Sequence, residues 1–465
     1  MKKYNIIALA AIAVACAFVA CSNEEDDIFD QTAAERLNTI SSIYTQRLAD
    51  SPGGWVMEYY PYGDNEDLIT GVGYLIMNRF HDNGSVFTMM KNAASRNNAW
   101  TDSTAWEVIT DMGPVLTFDT YNVCYGRFSD PYDLDLTPGT YDDESGKGFQ
   151  GDYEFVMVDV PENGDHIMLK GKKRGLYHRL TRIPVGTDFE AYLDDISHFN
   201  STHFIVDAPW ELTLTDNGVK YRVNSAYKMC PMIYEEGKDS TTYGWLNPFL
   251  VTKCGDQYRL RFKDTVMVDT YQMEQEFAYD AEKGLFRGVR NAENIIEGYP
   301  AINFFEESVA NMHTWTLSKS GEKSEKLQAI FDALETKFSQ TKDSRNRTYS
   351  FVGINFGRNS ILRDGVRDTL NCWNVIYRAP GSSRNTTVSY VFDIDYTEGE
   401  TAVFQYKEPL NDASGKVLNA FPEINEMLGL FSRRFNIKEV DSKFNLTHVI
   451  LSAADDPDTW MILNY

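Results

Sequence analysis

Histidine and cysteine are scarce in this 465-residue chain, with 7 and 6 respectively. Four cysteines follow residue 21, namely Cys124, Cys230, Cys254 and Cys372. They are far apart and form no CxxC pair, so a zinc knuckle is not indicated. An oxidising compartment would allow disulfides, but the spacing leaves a Cys230–Cys254 pairing open, and buried thiols are the expected state. His198 and His203, with Asp195 or Asp207, could in principle ligate a metal. Surface or capping histidines are the commoner explanation, so no metal is expected. The chain contains no HExxH, no GxSxG and no GxxxxGK[ST], which removes the zincin, nucleophile-elbow and P-loop signatures. Gly71-Val72-Gly73 lacks the third glycine of a dinucleotide fold. No cofactor is expected and no catalytic residue stands out, although a motif-less hydrolase using two placed carboxylates stays open. Basic residues are outnumbered 44 to 68, for a net charge of −24. That surface repels a phosphate backbone and argues against nucleic-acid binding. The acidic groups Asp64–Asp67, Asp142–Glu144 and Asp455–Asp458 lack the alternating spacing of an EF-hand loop.

Long apolar runs are missing too. The longest, Ile6 to Ala20, follows Lys2 and Lys3. It falls short of the roughly 20 residues needed to cross a bilayer. A basic start, a short apolar core and a small residue before the cut describe a signal peptide over residues 1–20. Ala20-Cys21 resembles the lipobox of bacterial lipoproteins, although Phe18 departs from its usual aliphatic residue. The resemblance implies an acylated Cys21 and attachment to the outer membrane. Glu24, Glu25, Asp26 and Asp27 follow and resemble the acidic export signal of Bacteroidetes surface lipoproteins. Residues 21–31 are therefore expected to be a lipidated tether facing the cell exterior. Read without that resemblance, the acids make a solvated linker.

The remaining chain alternates amphipathic helices with β-rich stretches. Thr32-Ala33-Ala34-Glu35 fits a capping box, and Leu37, Ile40, Tyr44 and Leu48 follow at helical spacing. Trp55, Met57 and Tyr59 then alternate as a half-buried strand would. Asn83-Gly84 predicts a hairpin. Residues 91–113 and 129–151 read as long loops. Thr187 to Glu190 predicts a second capping box, with a stripe of Phe189, Tyr192, Leu193, Ile196 and Phe199 before the strand opening at Trp210. A third helix is predicted over 324–338, followed by an aromatic strand from Thr348. A last helix is predicted over Pro422–Phe435. The expected class is α+β and β-rich, with two or three antiparallel sandwich or barrel-like modules, each preceded by an amphipathic helix. The expected modules are 32–186, 187–319 and 320–465, a degenerate repeat led by Trp55, Trp210 and Tyr349.

Aromatic residues among polar neighbours are the candidate ligand contacts. Trp100 and Trp106 flank a Thr/Ser/Asp stretch, Tyr132 lies in the next acidic segment, and Trp245 sits among Ser, Thr and Gly. A flat ring beside hydrogen-bonding groups can stack on a sugar or anchor a side chain. Such rings more commonly fold back onto a core.

A wider resemblance rests on Glu35-Arg36-Leu37, Gly54-Trp55, Tyr59-Tyr60-Pro61, Gly71-Val72-Gly73-Tyr74, Leu116–Asn122 and Gly151-Asp152-Tyr153-Glu154-Phe155. This pattern, clearest over residues 30–185, resembles an uncharacterised family of Bacteroidetes surface lipoproteins. The resemblance implies genes beside SusC/SusD-type uptake pairs and an accessory role in capturing an oligopeptide or glycan. It carries over no catalytic residue. An adhesin or structural surface protein is the third expectation.

Overall fold

The computed structural model describes residues 32–61, 73–111, 113–130, 149–162, 164–204, 209–214, 219–224, 229, 231–265, 267–268, 271–363, 365–397 and 399–465. Helix α1 (Ala33–Ala49) begins with the expected capping box, in which the Thr32 side chain and Glu35 satisfy each other's backbone N–H. The chain then runs through β1 (Trp55–Tyr59), β2 (Tyr74–Phe80), β3 (Ser85–Met90), β4 (Trp100–Thr110), β5 (Pro114–Phe118), helix α2 (Val123–Ser129), β6 (Glu154–Asp159), β7 (His166–Gly171) and β8 (Tyr177–Arg182). Each strand pairs antiparallel with the next, and β8 returns to β1, closing an eight-stranded up-and-down barrel. Closure leaves no exposed sheet edge. The segment 91–113 is thus largely a strand rather than a loop. The outward residues of β4 include Thr101, Ser103 and Glu107, and its inward set includes the polar Asp102 and Thr104, so the hydrophobic alternation is masked.

Helix α3 (Phe189–His203) leads into the middle sheet. Its strands are β9 (Trp210–Leu214), β10 (Val219–Asn224), β11 (Met232–Glu235), β12 (Trp245–Leu246), β13 (Phe249–Cys254) and β14 (Gln257–Phe262), with the one-turn helix α4 (Ser240–Tyr243) before β12. After the small ribbon β15 (Met267–Val268) and β16 (Tyr271–Gln272) come β17 (Glu276–Asp280), β18 (Leu285–Gly288) and β19 (Ile295–Gly298). The order is β12-β11-β10-β9-β19-β18-β17-β14-β13. Strands β12 and β13 are consecutive in the chain yet occupy opposite edges. The sheet is therefore an up-and-down ring left open at one seam. The Tyr192 hydroxyl of α3 covers part of the β13 edge, accepting from Lys253 N at 2.7 Å and donating to Lys253 O at 3.2 Å.

Helix α5 (Ala301–Ala310) precedes β20 (Trp315–Ser318), and helix α6 (Glu325–Gln340) follows it. Then come β21 (Ser350–Arg363), β22 (Val366–Arg378), β23 (Asn385–Tyr396), β24 (Thr401–Pro409), helices α7 (Asp412–Ala420) and α8 (Pro422–Phe431), β25 (Arg434–Glu439), β26 (His448–Ala453) and β27 (Trp460–Asn464). Strands β20 to β27 close a second eight-stranded barrel. Two expectations are corrected here. The division at 319/320 separates β20 from the barrel it belongs to, because the strongly amphipathic α6 is an insertion after the first strand. The last helix stops at Phe431, and Phe435 lies in β25.

The helix-then-strand repeat is led by Trp55, Trp210 and Trp315 rather than Tyr349. Each tryptophan opens the first strand of its sheet behind a helix. Trp55 Nε1 donates to Leu48 O and Trp315 Nε1 donates to Ser308 Oγ, both 2.9 Å and both seven residues back. A buried indole must place its N–H on an acceptor, and here the acceptor is the preceding helix.

Candidate functional site

An eight-stranded barrel can be filled by side chains or can hold one small ligand. Among the described residues, the interiors of both barrels are packed with side chains. In the first, α2 enters the core: Cys124, Tyr125 and Phe128 have no exposed surface and pack with Tyr59 and Phe155. Asn122 caps this helix through Oδ1, which accepts from Cys124 N and Tyr125 N. Its Nδ2 donates to Thr88 and Thr104, both at 3.0 Å. Tyr125 donates to Asn78 at 2.8 Å. His178 stacks on Tyr59 at 5.0 Å, and its Nδ1 accepts from Tyr60 N. Its Nε2 therefore carries the proton, buried and without a hydrogen-bond partner among the described residues. Burial, helped by the Lys263 charge, pulls the pKa of this imidazole down to about 3, so it is neutral. The second barrel is filled by Trp315, Phe356, Trp373, Phe404 and Phe431 with residues of α5 and α6.

The sequence motif Gly151–Phe155 belongs to the first barrel, where Phe155 and Tyr153 join the core. The Asp152 carboxylate accepts from Lys173 N at 2.8 Å and Arg174 N at 3.0 Å, fastening the β7–β8 turn. A Cβ on Gly171 would lie 2.0 Å from Asp152 Oδ2, so only glycine fits there. Burial still pushes the Asp152 pKa above its ordinary value. Tyr153 Oη accepts from Asn122 N and donates to Thr120 O. A cleft of about 400 Å³ opens beside Asp152, Glu154 and Lys173. Its Lys172 is already engaged by Asp111 and Glu154 at 3.1 and 3.0 Å.

The first barrel meets the middle sheet through ion pairs. Glu58 is almost fully buried and accepts from Arg261 at 2.8 Å, while Glu276 bridges Arg179 and Arg259 at 2.7 and 3.0 Å. Burial alone would raise the Glu276 pKa, but the two guanidiniums outweigh it and hold the carboxyl below its ordinary range. Both carboxylates are thereby committed to cations that join the two units.

The aromatic candidates separate. Trp106 is 4% exposed, packs on Phe80 at 4.7 Å and donates to Ser85 O. It is a core residue and not a ligand contact. Trp100 is half-buried against the same core, under the Arg127 guanidinium. Trp245 packs edge-on against Tyr221 in the middle sheet. Tyr132, Cys21, Glu24, Glu25, Asp26, Asp27, Asp207 and Cys230 lie outside the described residues. His203 spends both ring nitrogens, on Phe199 O and Tyr279 Oη, and His198 is exposed. Asp195 instead pairs with Lys253 and Tyr258. No metal-holding group of His, Cys, Asp and Glu occurs among the described residues. Cys124 and Cys254 carry free thiols.

A cleft with convergent polar groups lies between the middle sheet and the second barrel. It holds about 290 Å³ and is lined by Arg222, Asn224, Phe304, Glu307, Asn311, His313 and Tyr465, among others. Arg222 donates to Glu307 at 2.7 Å and lies over the Tyr299 ring at 4.6 Å. Tyr299 donates to the other Glu307 oxygen at 2.5 Å. Burial, then this bond, pushes the Tyr299 pKa up to about 12. The wall is thus charge-balanced. At the mouth, Tyr465 is 44% exposed and its ring lies 5.1 Å from His313 and 5.2 Å from Phe304. Nothing local in the sequence joins Arg222 to Glu307 or Tyr465; the fold does.

The model of a protein family described as a domain of unknown function, DUF4302, matches residues 25–281. The match covers the first barrel and the middle sheet through β17. No curated protein and no solved structure matches the chain significantly.

Proposed function

The chain belongs to the DUF4302 family, and for this member we propose a non-enzymatic role in capturing ligands at the cell surface. The protein is anchored in the outer membrane through acylated Cys21, carried outward on the Glu24–Asp27 tether, and holds an oligopeptide or glycan beside a SusC/SusD-type transporter. The order of basic start, apolar core, Cys21 and acids supports the location. The observation that carries the binding role is the Arg222–Glu307–Tyr465 cleft. It offers amides, an imidazole and a balanced ion pair beside a partly exposed ring. The lining is mostly polar, with Phe304 and Tyr465 as its rings, which suits a hydrogen-bonding saccharide or peptide better than an apolar ligand.

Calorimetry against panels of neutral oligosaccharides and short peptides tests the site. A ligand is expected whose affinity falls about tenfold in Asn311→Ala. Binding to neither panel would remove the capture role. Pull-down from outer membranes tests the partner: recovery of the protein alone would remove the transporter role. The repetition of up-and-down sheets favours a second reading, an adhesin or structural surface protein. That reading predicts no small-molecule ligand at all.

A further inference from the structure

Charge is distributed unevenly along the chain. Residues 32–186 carry 13 Lys and Arg against 22 Asp and Glu, and residues 187–319 carry 12 against 21. Between 341 and 385 the balance reverses, with eight basic residues against three acidic. Five of the eight meet at one end of the second barrel. The turn 341–349 and the β22–β23 turn lie side by side, because Ser350 pairs with Arg378 and Arg378 pairs with Asn385. The Arg347 guanidinium reaches across to Gly381, where φ is +71° and a Cβ would lie 2.6 Å from Nη1. Lys342, Arg345, Arg347, Arg378 and Arg384 are all exposed. Asp343 is the one acid between them, and its carboxylate is held by Arg347 at 2.8 and 3.0 Å. Among the described residues no carboxylate lies within ion-pair distance of Arg345, Arg378 or Arg384. The half-buried rings of Tyr349 and Tyr377 lie 6.1 Å apart at the same end.

We propose that this face binds an acidic glycan, a saccharide chain bearing carboxylate or sulfate groups. Guanidinium forks match such groups two bonds at a time. The tyrosine rings offer a surface for the apolar face of a sugar. The five cations are exposed and spread over two adjacent turns, so they suit a chain laid across them better than a small anion. A duplex nucleic acid, with about one charge per 1.7 Å, needs a long basic track. Here the basic end is bounded by a molecule that is otherwise strongly acidic. The site lies outside the matched family region and does not depend on the Arg222 cleft.

The test is retention of the full chain at low salt on a sulfated matrix (heparin) and a uronate matrix (polygalacturonate). Double-stranded DNA and poly-glutamate matrices serve as competitors. Retention on at least one glycan matrix is expected, and the matrix that retains identifies the acid. Arg345→Ser and Arg384→Ser are each expected to weaken it about tenfold, and the double variant about a hundredfold, with an unchanged melting temperature. Lys283→Ser, which removes one exposed cation from the β17–β18 turn of the middle sheet, is expected to bind as the parent does. Loss of retention on both glycan matrices, an unaffected double variant, or equal binding to DNA or poly-glutamate would each overturn the assignment.

Discussion

The first barrel wraps its eight strands around tyrosines, amides and a buried imidazole. The second wraps eight around tryptophans and phenylalanines. Both have the same up-and-down order, and both anchor an opening tryptophan to the helix before it. The middle sheet follows the same ring order and stops one pairing short. Ring topology is therefore set by the sequence of hairpins, while the filling is free to vary as long as it is complete. An apolar filling needs only volume. A polar one needs partners for its donors and acceptors; Asn122 alone satisfies four groups, while His178 Nε2 is left without one among the described residues.

The largest test of this comparison is to hollow each barrel. Trp55→Ala and Trp315→Ala should each cost about 3–5 kcal/mol. If the barrels unfold as separate units, calorimetry will show each substitution lowering one transition and leaving the other in place. A single transition shifted equally by both would mean that one cooperative unit spans the chain.

Acid should then discriminate the two fillings. The unfolded chain binds a proton at His178 near pH 6.5, whereas the folded chain does so near 3. Stability from the neutral imidazole is thus complete above pH 6.5 and is lost as pH falls from 6.5 towards 3. Between pH 7 and 4 this is about 3 kcal/mol. Urea midpoints for the first barrel should fall by that amount more in the parent than in His178→Gln. Equal pH slopes in the two proteins would show that the buried ring is not the acid-sensitive element.

A smaller effect tests the joint between the units. Glu58→Ala strands Arg261 in a buried interface and should cost about 3 kcal/mol, whereas Glu58→Leu with Arg261→Met should be within about 1 kcal/mol of the parent. Equal losses in the two variants would mean that the ion pair itself stabilises the joint.

Much of the architecture was legible before any coordinates, because amphipathic faces and turn residues are local. The Thr32 capping box and the Asn83-Gly84 hairpin both form. The second cap shifts by one residue, with Asp188 accepting from Ala191 N in place of Thr187. Helix α5 is hard to read from sequence because it is short and lacks a side-chain cap, although Ile302, Phe304, Phe305 and Val309 are buried and Asn303 and Glu306 are exposed. Missing it concealed Trp315 as the third leader. The cleft was illegible for a different reason. Arg222, Glu307 and Tyr465 come from remote parts of the chain, and only sheet order brings them together. Trp106 looks exposed in the sequence because β4 is polar on both faces: Thr101, Ser103 and Glu107 point outward, while Asp102 and Thr104 point inward with the ring and bond the start of α2.

Ring closure also has a timetable. Asn464 Nδ2 donates to Thr316 O across a separation of 148 residues. A ribosome delivers the first barrel's closing strand early, and the middle sheet's next. Strand β20 must wait, its edge open, until β27 emerges. Contacts that distant in sequence are slow to form. The second barrel should therefore be the last part of the protein to mature during synthesis. It is also the part that a chaperone or a secretion apparatus would meet still unfinished.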